Sequence, residues 1–422
     1  MWLSEPGGVK PIIHAMAERN AISVPSGLPS LDPEAATHLQ AVQSYLADRI
    51  QYAAHGFMPF DEWMSHTLYA PGLGYYSAGS AKLGDRPHDG DFTTAPELTP
   101  LFGQALAGQV AQILAASGSE RILEFGAGSG ALAAALIPAL RLLGIEPQYQ
   151  ILEVSAELRE RQQQKLAPLG GDIVWLQSLP AEFEGCVLAN EVLDAMPATL
   201  FRWGDDTNLL ELGVSLAPGA TAEGSGLADP AHTPFRLAER PADEHLQATM
   251  ARRMPPLPGY QSEVNLQAEA WVRQMGAWLR KGAALLIDYG FPRHEYYHPQ
   301  RAEGTLMCHF RHHAHSQPLI YAGLQDITTH IDFTAMADAA LEGGLDVLGY
   351  TSQARFLMNA GLTELLSGLD PSDAGRYAKA VAPVQRLLSE AEMGELFKVL
   401  AVGRDIAVPL MGFARGDRRD RL

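Results

Sequence analysis

The segment Ile122-Leu-Glu-Phe-Gly-Ala-Gly-Ser-Gly130 constrains this chain more than any other stretch of its 422 residues. An apolar run, Arg121-Ile-Leu, leads into Glu124. Glycines follow at 126, 128 and 130, and an Ala/Leu-rich stretch comes next. That order predicts a buried strand, a tight turn and a helix N-terminus, which together bring backbone close to a nucleotide-like ligand. Gly126, Gly128 and Ala131 also satisfy the dinucleotide pattern G-x-G-x-x-G/A, so the glycines alone leave two ligands open. Glu124 chooses between them. A carboxylate at the strand tip repels a pyrophosphate and suits a cationic, hydroxyl-rich ligand. S-adenosylmethionine carries a sulfonium, an ammonium and a ribose, and it has no phosphate. The cofactor-binding candidates are therefore Glu124, Gly126, Ala127, Gly128 and Gly130. A second apolar run, Tyr149-Gln-Ile-Leu, ends at Glu153 and Val154, where Glu153 is suitably placed for ribose hydroxyls.

Bulk properties narrow the function classes. Only Cys186 and Cys308 are present, which excludes a disulfide framework and a cysteine-based zinc site. The formal charge of −18 argues against sequence-independent binding to nucleic acid and is compatible with a cationic peptide partner. No apolar run approaches a membrane span, and Met1-Trp-Leu-Ser-Glu resembles neither a signal peptide nor a transit segment. A bacterial cytoplasm is the expected location. His309, His312, His313 and His315 crowd around Arg311, yet no H-E-x-x-H frame accompanies them. No metal is expected there.

From Arg121 onward the chain alternates strand and helix. This predicts an α/β fold: a seven-stranded, doubly wound, Rossmann-like sheet with an N-terminal helical extension and an insertion on the substrate side. Expected strands are 121–125, 149–153, 172–176, 186–190, 283–288, 346–350 and 397–402. Expected regions are a loose lead-in (1–34), a helical, cofactor-covering part (35–116) and the first half of the core (117–199). A β-rich insertion (200–262) and the second half of the core (263–422) follow. Asp61 is expected to cap a short helix through Tyr69.

Several segments, in order, resemble the MidA-type methyltransferases: Gly74-Tyr-Tyr, Gly90-Asp-Phe-Thr-Thr-Ala-Pro-Glu, Glu124-Phe-Gly-Ala-Gly-Ser-Gly and Leu152-Glu-Val-Ser. Ala189-Asn-Glu-Val-Leu-Asp-Ala-Met-Pro, Asp288-Tyr-Gly, Asp326-Ile-Thr-Thr-His-Ile-Asp-Phe and Met393-Gly-Glu-Leu-Phe-Lys-Val-Leu continue the series. The resemblance covers residues from about 60 to 403. It implies a methyltransferase sheet whose last strand enters antiparallel, S-adenosylmethionine as cofactor, and a protein arginine as acceptor. The family's mitochondrial member acts on a respiratory complex I subunit. It also implies that Asp91, Thr93, Pro96 and Glu97 close over the cofactor; read from the sequence alone, Thr94 is a simple turn or cap residue. Asp332 and Phe333 lie in a shared stretch and are substrate-side candidates, beside an equally plain core or turn role.

The fourth strand should end in Asn190-Glu191-Val-Leu-Asp194, at the edge where open sheets bind ligands. Two acids three apart at a strand-to-helix junction can face one cleft, and a guanidinium matches carboxylates bidentately. Glu191, Asp194 and Asn190 are the catalytic candidates, with Asn190 also beside the cofactor. Helix capping by Asp194 or Asn190 is the plainer alternative. Asp288 and Tyr289 end the fifth strand at the same edge and are expected to border the acceptor channel. The leading reading is a protein arginine methyltransferase. Methyl transfer to another side chain or a small molecule, a cofactor-binding assembly factor without turnover, and a dehydrogenase are the alternatives. A homodimer is left open.

Overall fold

The computed structural model describes residues 24–25, 27–78, 94–220, 233–370, 372 and 374–422. Its large sheet contains β1 (Arg121–Phe125), β2 (Gln148–Leu152), β3 (Ile173–Leu176), β4 (Phe183–Asn190), β5 (Leu279–Phe291), β6 (Ile331–Asp332), β7 (Asp346–Ser352) and β8 (Phe397–Arg404). The order is β7-β8-β5-β4-β1-β2-β3. β6 is an eighth strand absent from the sequence reading. It adds to the far end of β5 through Gly290↔Ile331 and Phe291↔Asp332, and two residues leave no periodicity to detect. β8 runs antiparallel to both β5 and β7, and the remaining pairs along the path are parallel.

Alternation explains why helices cover both faces. Ile122, Cys186 and Leu188 bury against the helices Pro100–Ser117 and Ala131–Leu142. Leu123, Phe125, Val187 and Ala189 bury on the opposite side against Leu266–Trp278 and Phe333–Glu342. The strand order reverses between β1 and β4, so a crevice opens beyond their carboxyl ends.

The insertion builds a five-stranded antiparallel sheet from Thr199–Trp203, Leu209–Leu216, Phe235–Pro241 and Gln261–Val264, completed by Met58–Pro59 from the N-terminal region. It also contains the helix Glu244–Arg253, capped by Asp243 and missed in the sequence reading. Pro33–Tyr52 is capped by Asp32, whose Oδ1 accepts from the Ala35 amide at 2.9 Å. Asp61 does not cap its helix. The helix starts at Phe60, with Pro59 at the cap position, and Asp61 sits in the first turn, where Thr199 Oγ1 donates to it. No helix among the described residues is long and apolar enough to cross a membrane.

Candidate active site

Beyond the ends of β1 and β4 lies a cleft of about 1100 Å³. One wall is the glycine turn. Gly126, Gly128 and Gly130 have φ of +58°, +52° and +75°, conformations that side chains disfavour. A Cβ at Gly126 would come within 3.3 Å of Val192, whereas one at Gly128 would enter open space at the cleft wall. The turn is tied down by Gly126 N–H to the Leu152 carbonyl (3.0 Å) and Gly130 N–H to the Ala127 carbonyl (2.8 Å).

Glu124 is buried at the end of β1, and its Oε2 accepts from the Tyr149 hydroxyl at 2.8 Å. Burial pushes its carboxyl up to about 7, against the lowering effect of that hydrogen bond. Glu153 accepts from the Ser155 amide (3.0 Å) and from Gln162 Nε2 (3.0 Å). Burial raises it as well. Val154, next to it, is 72% exposed and lines the cleft, an apolar surface with no protein covering it.

Asn190 and Glu191 follow at the tip of β4. Glu191 adopts φ +53°, an uncommon conformation for a residue with a Cβ, and strain of this kind gathers at working sites. It is held by its own amide donating to the Ile287 carbonyl, and its Oε1 accepts from Asn190 Nδ2 (3.0 Å) and the Ala95 amide (3.3 Å). Burial, then the charge of Asp194, pushes Glu191 up to about 8. Asp194 Oδ2 accepts from the Tyr289 hydroxyl at 2.5 Å. Burial raises Asp194 to about 6 against that bond. Its Oδ1, like Oδ1 of Asn190, is buried without a hydrogen-bond partner.

The other expected site residues divide. Pro96 and Glu97 line the cleft, and Thr94 acts as a cap residue, its amide donating to Glu97 Oε2 at 3.4 Å. Asp91 and Thr93 lie outside the described residues. Asp288 does not border the cleft. It is fully buried behind it, accepting from the amides of Leu193 (3.0 Å), Asp194 (3.3 Å) and Tyr289 (2.9 Å), so it fixes the turn that carries the acids. Tyr289 stands behind Asp194 as its hydrogen-bond donor, outside the cleft lining. Asp332 and Phe333 are corrections to the substrate-side expectation. Asp332 caps Phe333–Glu342 through the Ala335 amide (3.0 Å) and pairs with Arg293, and Phe333 is core, packed on Tyr350.

Sequence reasoning missed Gln162, whose amide joins Glu153 to the Gly128 carbonyl (2.8 Å) and accepts from Trp175 Nε1 (2.9 Å). A glutamine inside a polar helix gives no signal until the helix is packed. Trp271, Tyr69 and His312 also line the cleft. Tyr75 and Tyr76 line it too, and Tyr69 stacks on Tyr76 at 5.5 Å. Among the described residues, no group of three or more His, Cys, Asp or Glu side chains is arranged to hold a metal.

The comparisons with known proteins agree on a family. A family model of S-adenosyl-L-methionine-dependent methyltransferases matches residues 105–351, more than half of the chain. The chain belongs to this methyltransferase family. It is 49% identical to a COG1565 superfamily member from Burkholderia thailandensis solved with S-adenosyl-homocysteine, over 94% of this chain and 100% of that one, with a TM-score of 0.87. A native crystal structure of a COG1565 superfamily protein from the same organism gives 47% identity, the same coverage and a TM-score of 0.84. Among curated proteins, the mouse "Protein arginine methyltransferase NDUFAF7, mitochondrial" is 27% identical over 81% of this chain and 80% of its own length. The zebrafish (Danio rerio) protein of that name is also 27% identical, over 86% of this chain and 87% of its own length. S-adenosylmethionine is therefore the cofactor, as Glu124 suggested, and not a dinucleotide.

The residues present fit that group. The turn at Gly128 leaves room where a Cβ would stand, Val154 and Leu179 offer apolar surface for a base, and Glu153 faces the cleft as a hydroxyl acceptor. Glu124 supplies negative charge for the ammonium end.

Proposed function

We propose that this enzyme methylates an arginine side chain of a protein substrate. The observation that carries the reading is the acidic pair at the cleft, half-buried Glu191 and buried Asp194, with no Lys or Arg partner among the described residues. A guanidinium brings a permanent positive charge and five N–H donors in a fixed plane. It answers the charge of the pair and meets the unpartnered Oδ1 of Asp194. The curated relatives bear the name of arginine methyltransferases, which supports the same acceptor. A doubly wound, Rossmann-like core belongs to this reading as well.

Bound S-adenosylmethionine supplies a methyl group on a sulfonium leaving group, displaced in line. The protein's task is alignment and proton handling. Glu191 and Asp194 orient the guanidinium so that one nitrogen's lone pair points at the methyl carbon. As the N–C bond forms and the C–S bond breaks, one N–H proton must leave. Glu191, held near 8 by burial, accepts it and passes it to water. Tyr69, Tyr75 and Tyr76 form an aromatic wall beside the acceptor end. Incubation of the purified enzyme with labelled S-adenosylmethionine and cell extract, followed by mass spectrometry of the labelled band, tests the acceptor. Methylarginine in a protein is expected, and label on lysine or only on a metabolite overturns the reading.

A further inference from the structure

The helix Ala156–Leu166 is polar along most of its length and buries two side chains, Gln162 and Leu166. A glutamine in a fully buried position costs more than a leucine would, unless its polar atoms find partners. Gln162 finds three. Its Nε2 donates to Glu153 Oε2 at 3.0 Å and to the Gly128 carbonyl at 2.8 Å, and its Oε1 accepts from Trp175 Nε1 at 2.9 Å. An indole nitrogen can only donate, so the carbonyl end of the amide must face Trp175. The NH2 end is thereby turned to Glu153 and the glycine turn. The aliphatic stem lies against the same turn, where a Cβ at Gly130 would meet Gln162 Cγ at 3.5 Å.

Gln162 does not line the cleft, whereas Glu153 and Gly128 both do. One amide behind the wall therefore braces the acid at the end of β2 and the turn that follows β1. Backbone amides of Ser155, Gly128 and Val154 act on the same carboxylate, but none of them reaches it from a packed helix. Gln162 does, and it takes hold of Oε2 while the Ser155 amide holds Oε1. Two oxygens gripped from different directions fix the plane of the carboxylate. A fixed plane matters for this ligand, because neighbouring ribose hydroxyls present two donors side by side to an acid at a strand end.

We propose that Gln162 is a positioning residue for the cofactor, holding Glu153 at the angle at which its carboxylate accepts the ribose hydroxyls. Trp175 acts one step further back, by fixing which end of the Gln162 amide faces Glu153. The assignment rests on Glu153 as the hydroxyl acceptor and does not depend on the identity of the methyl acceptor.

Calorimetric titration of the full chain with S-adenosyl-homocysteine and with its 2′-deoxy and 3′-deoxy analogues tests it. In the unaltered protein a missing hydroxyl should weaken binding by about tenfold, the worth of one hydrogen bond to a charged group. Gln162→Leu should weaken S-adenosyl-homocysteine by about tenfold and cut the penalty for a missing hydroxyl to about twofold. A side chain that merely filled space would weaken all three ligands alike and leave that penalty unchanged. Trp175→Phe, which frees the amide to turn over, should shift both quantities in the same direction by a smaller factor. Added to Gln162→Leu, it should change the affinity little further. A cooperative thermal melt reports that each variant is folded. If Gln162→Leu does not fold, Trp175→Phe decides alone, and a hydroxyl penalty equal to the parent's overturns the proposal. Unchanged affinity in folded Gln162→Leu, or equal weakening of all three ligands, also overturns it. Absence of any hydroxyl penalty in the unaltered protein overturns it too, and removes Glu153 from the ribose.

Discussion

The cleft and the far side of the helix Leu266–Trp278 handle carboxylates in opposite ways. On the cleft side, Glu124, Glu153, Glu191 and Asp194 are held by hydroxyls and amides, and none of them forms an ion pair with an arginine or lysine among the described residues. On the far side, buried Glu269 meets Arg253, and the exposed Asp338 and Glu342 meet Arg293 and Arg273. Burying a charge without a partner is costly, and the carboxyl responds by holding its proton. That is the direction found throughout the cleft. The far-side acids serve structure and are compensated by the protein. The cleft acids are left for cationic ligands to compensate, and the sulfonium nucleoside and a guanidinium are such ligands.

The largest test of this contrast is Arg253→Leu. Removing one partner of a buried pair strands the other, so a loss of about 3–5 kcal/mol is expected, read as a lowered denaturation midpoint. If the variant is as stable as the parent, the far-side acids are not protein-compensated. Glu191→Gln should act in the opposite sense. Stability is kept or improved, cofactor affinity stays near normal, and turnover falls by about 100-fold or more, measured in single-turnover assays. Turnover close to the parent's would remove Glu191 from the chemistry.

A smaller effect separates the glycine turn from the acids. Gly128→Val forces a branched side chain into a φ of +52°, a strain of about 1–2 kcal/mol, and pushes atoms into the cleft. S-adenosyl-homocysteine should then bind about tenfold more weakly; unchanged affinity would mean that the cofactor does not lie against this turn.

The subtlest effect is on pH. A carboxyl whose pKa is raised by folding contributes fully below its unfolded value, and that contribution disappears as pH climbs through the folded value. Glu191 moves from 4.5 to about 8. The ligand-free protein should therefore melt at lower temperature as pH rises from about 5 to about 8, and Glu191→Gln should flatten the slope. A melting temperature that climbs across this range would show that the cleft acids are ionised without cost.

Much of the fold was legible because burial on both faces makes parallel strands nearly continuous apolar runs, as in Ala283-Ala-Leu-Leu-Ile. The glycine turn and Glu124 were legible because their chemistry is local. Asp332 misled because a helix cap and a substrate acid look identical in one dimension, and only the Ala335 amide beneath it tells them apart. Asp288 misled in the same way, since its position at a strand end was right and its direction was not. Gln162 and Tyr149 left no trace, because their contacts cross between elements far apart in the chain.

What the sequence determined by itself was the strand–turn–helix, the acids at the strand tips and therefore the kind of cofactor, since these depend on neighbours along the backbone. Which acids would stand unneutralised, and which would find an arginine, was decided only by tertiary packing. Charge compensation depends on distance through space, and Arg253 reaches Glu269, sixteen positions further along the chain, only because the fold brings the end of one helix to the next.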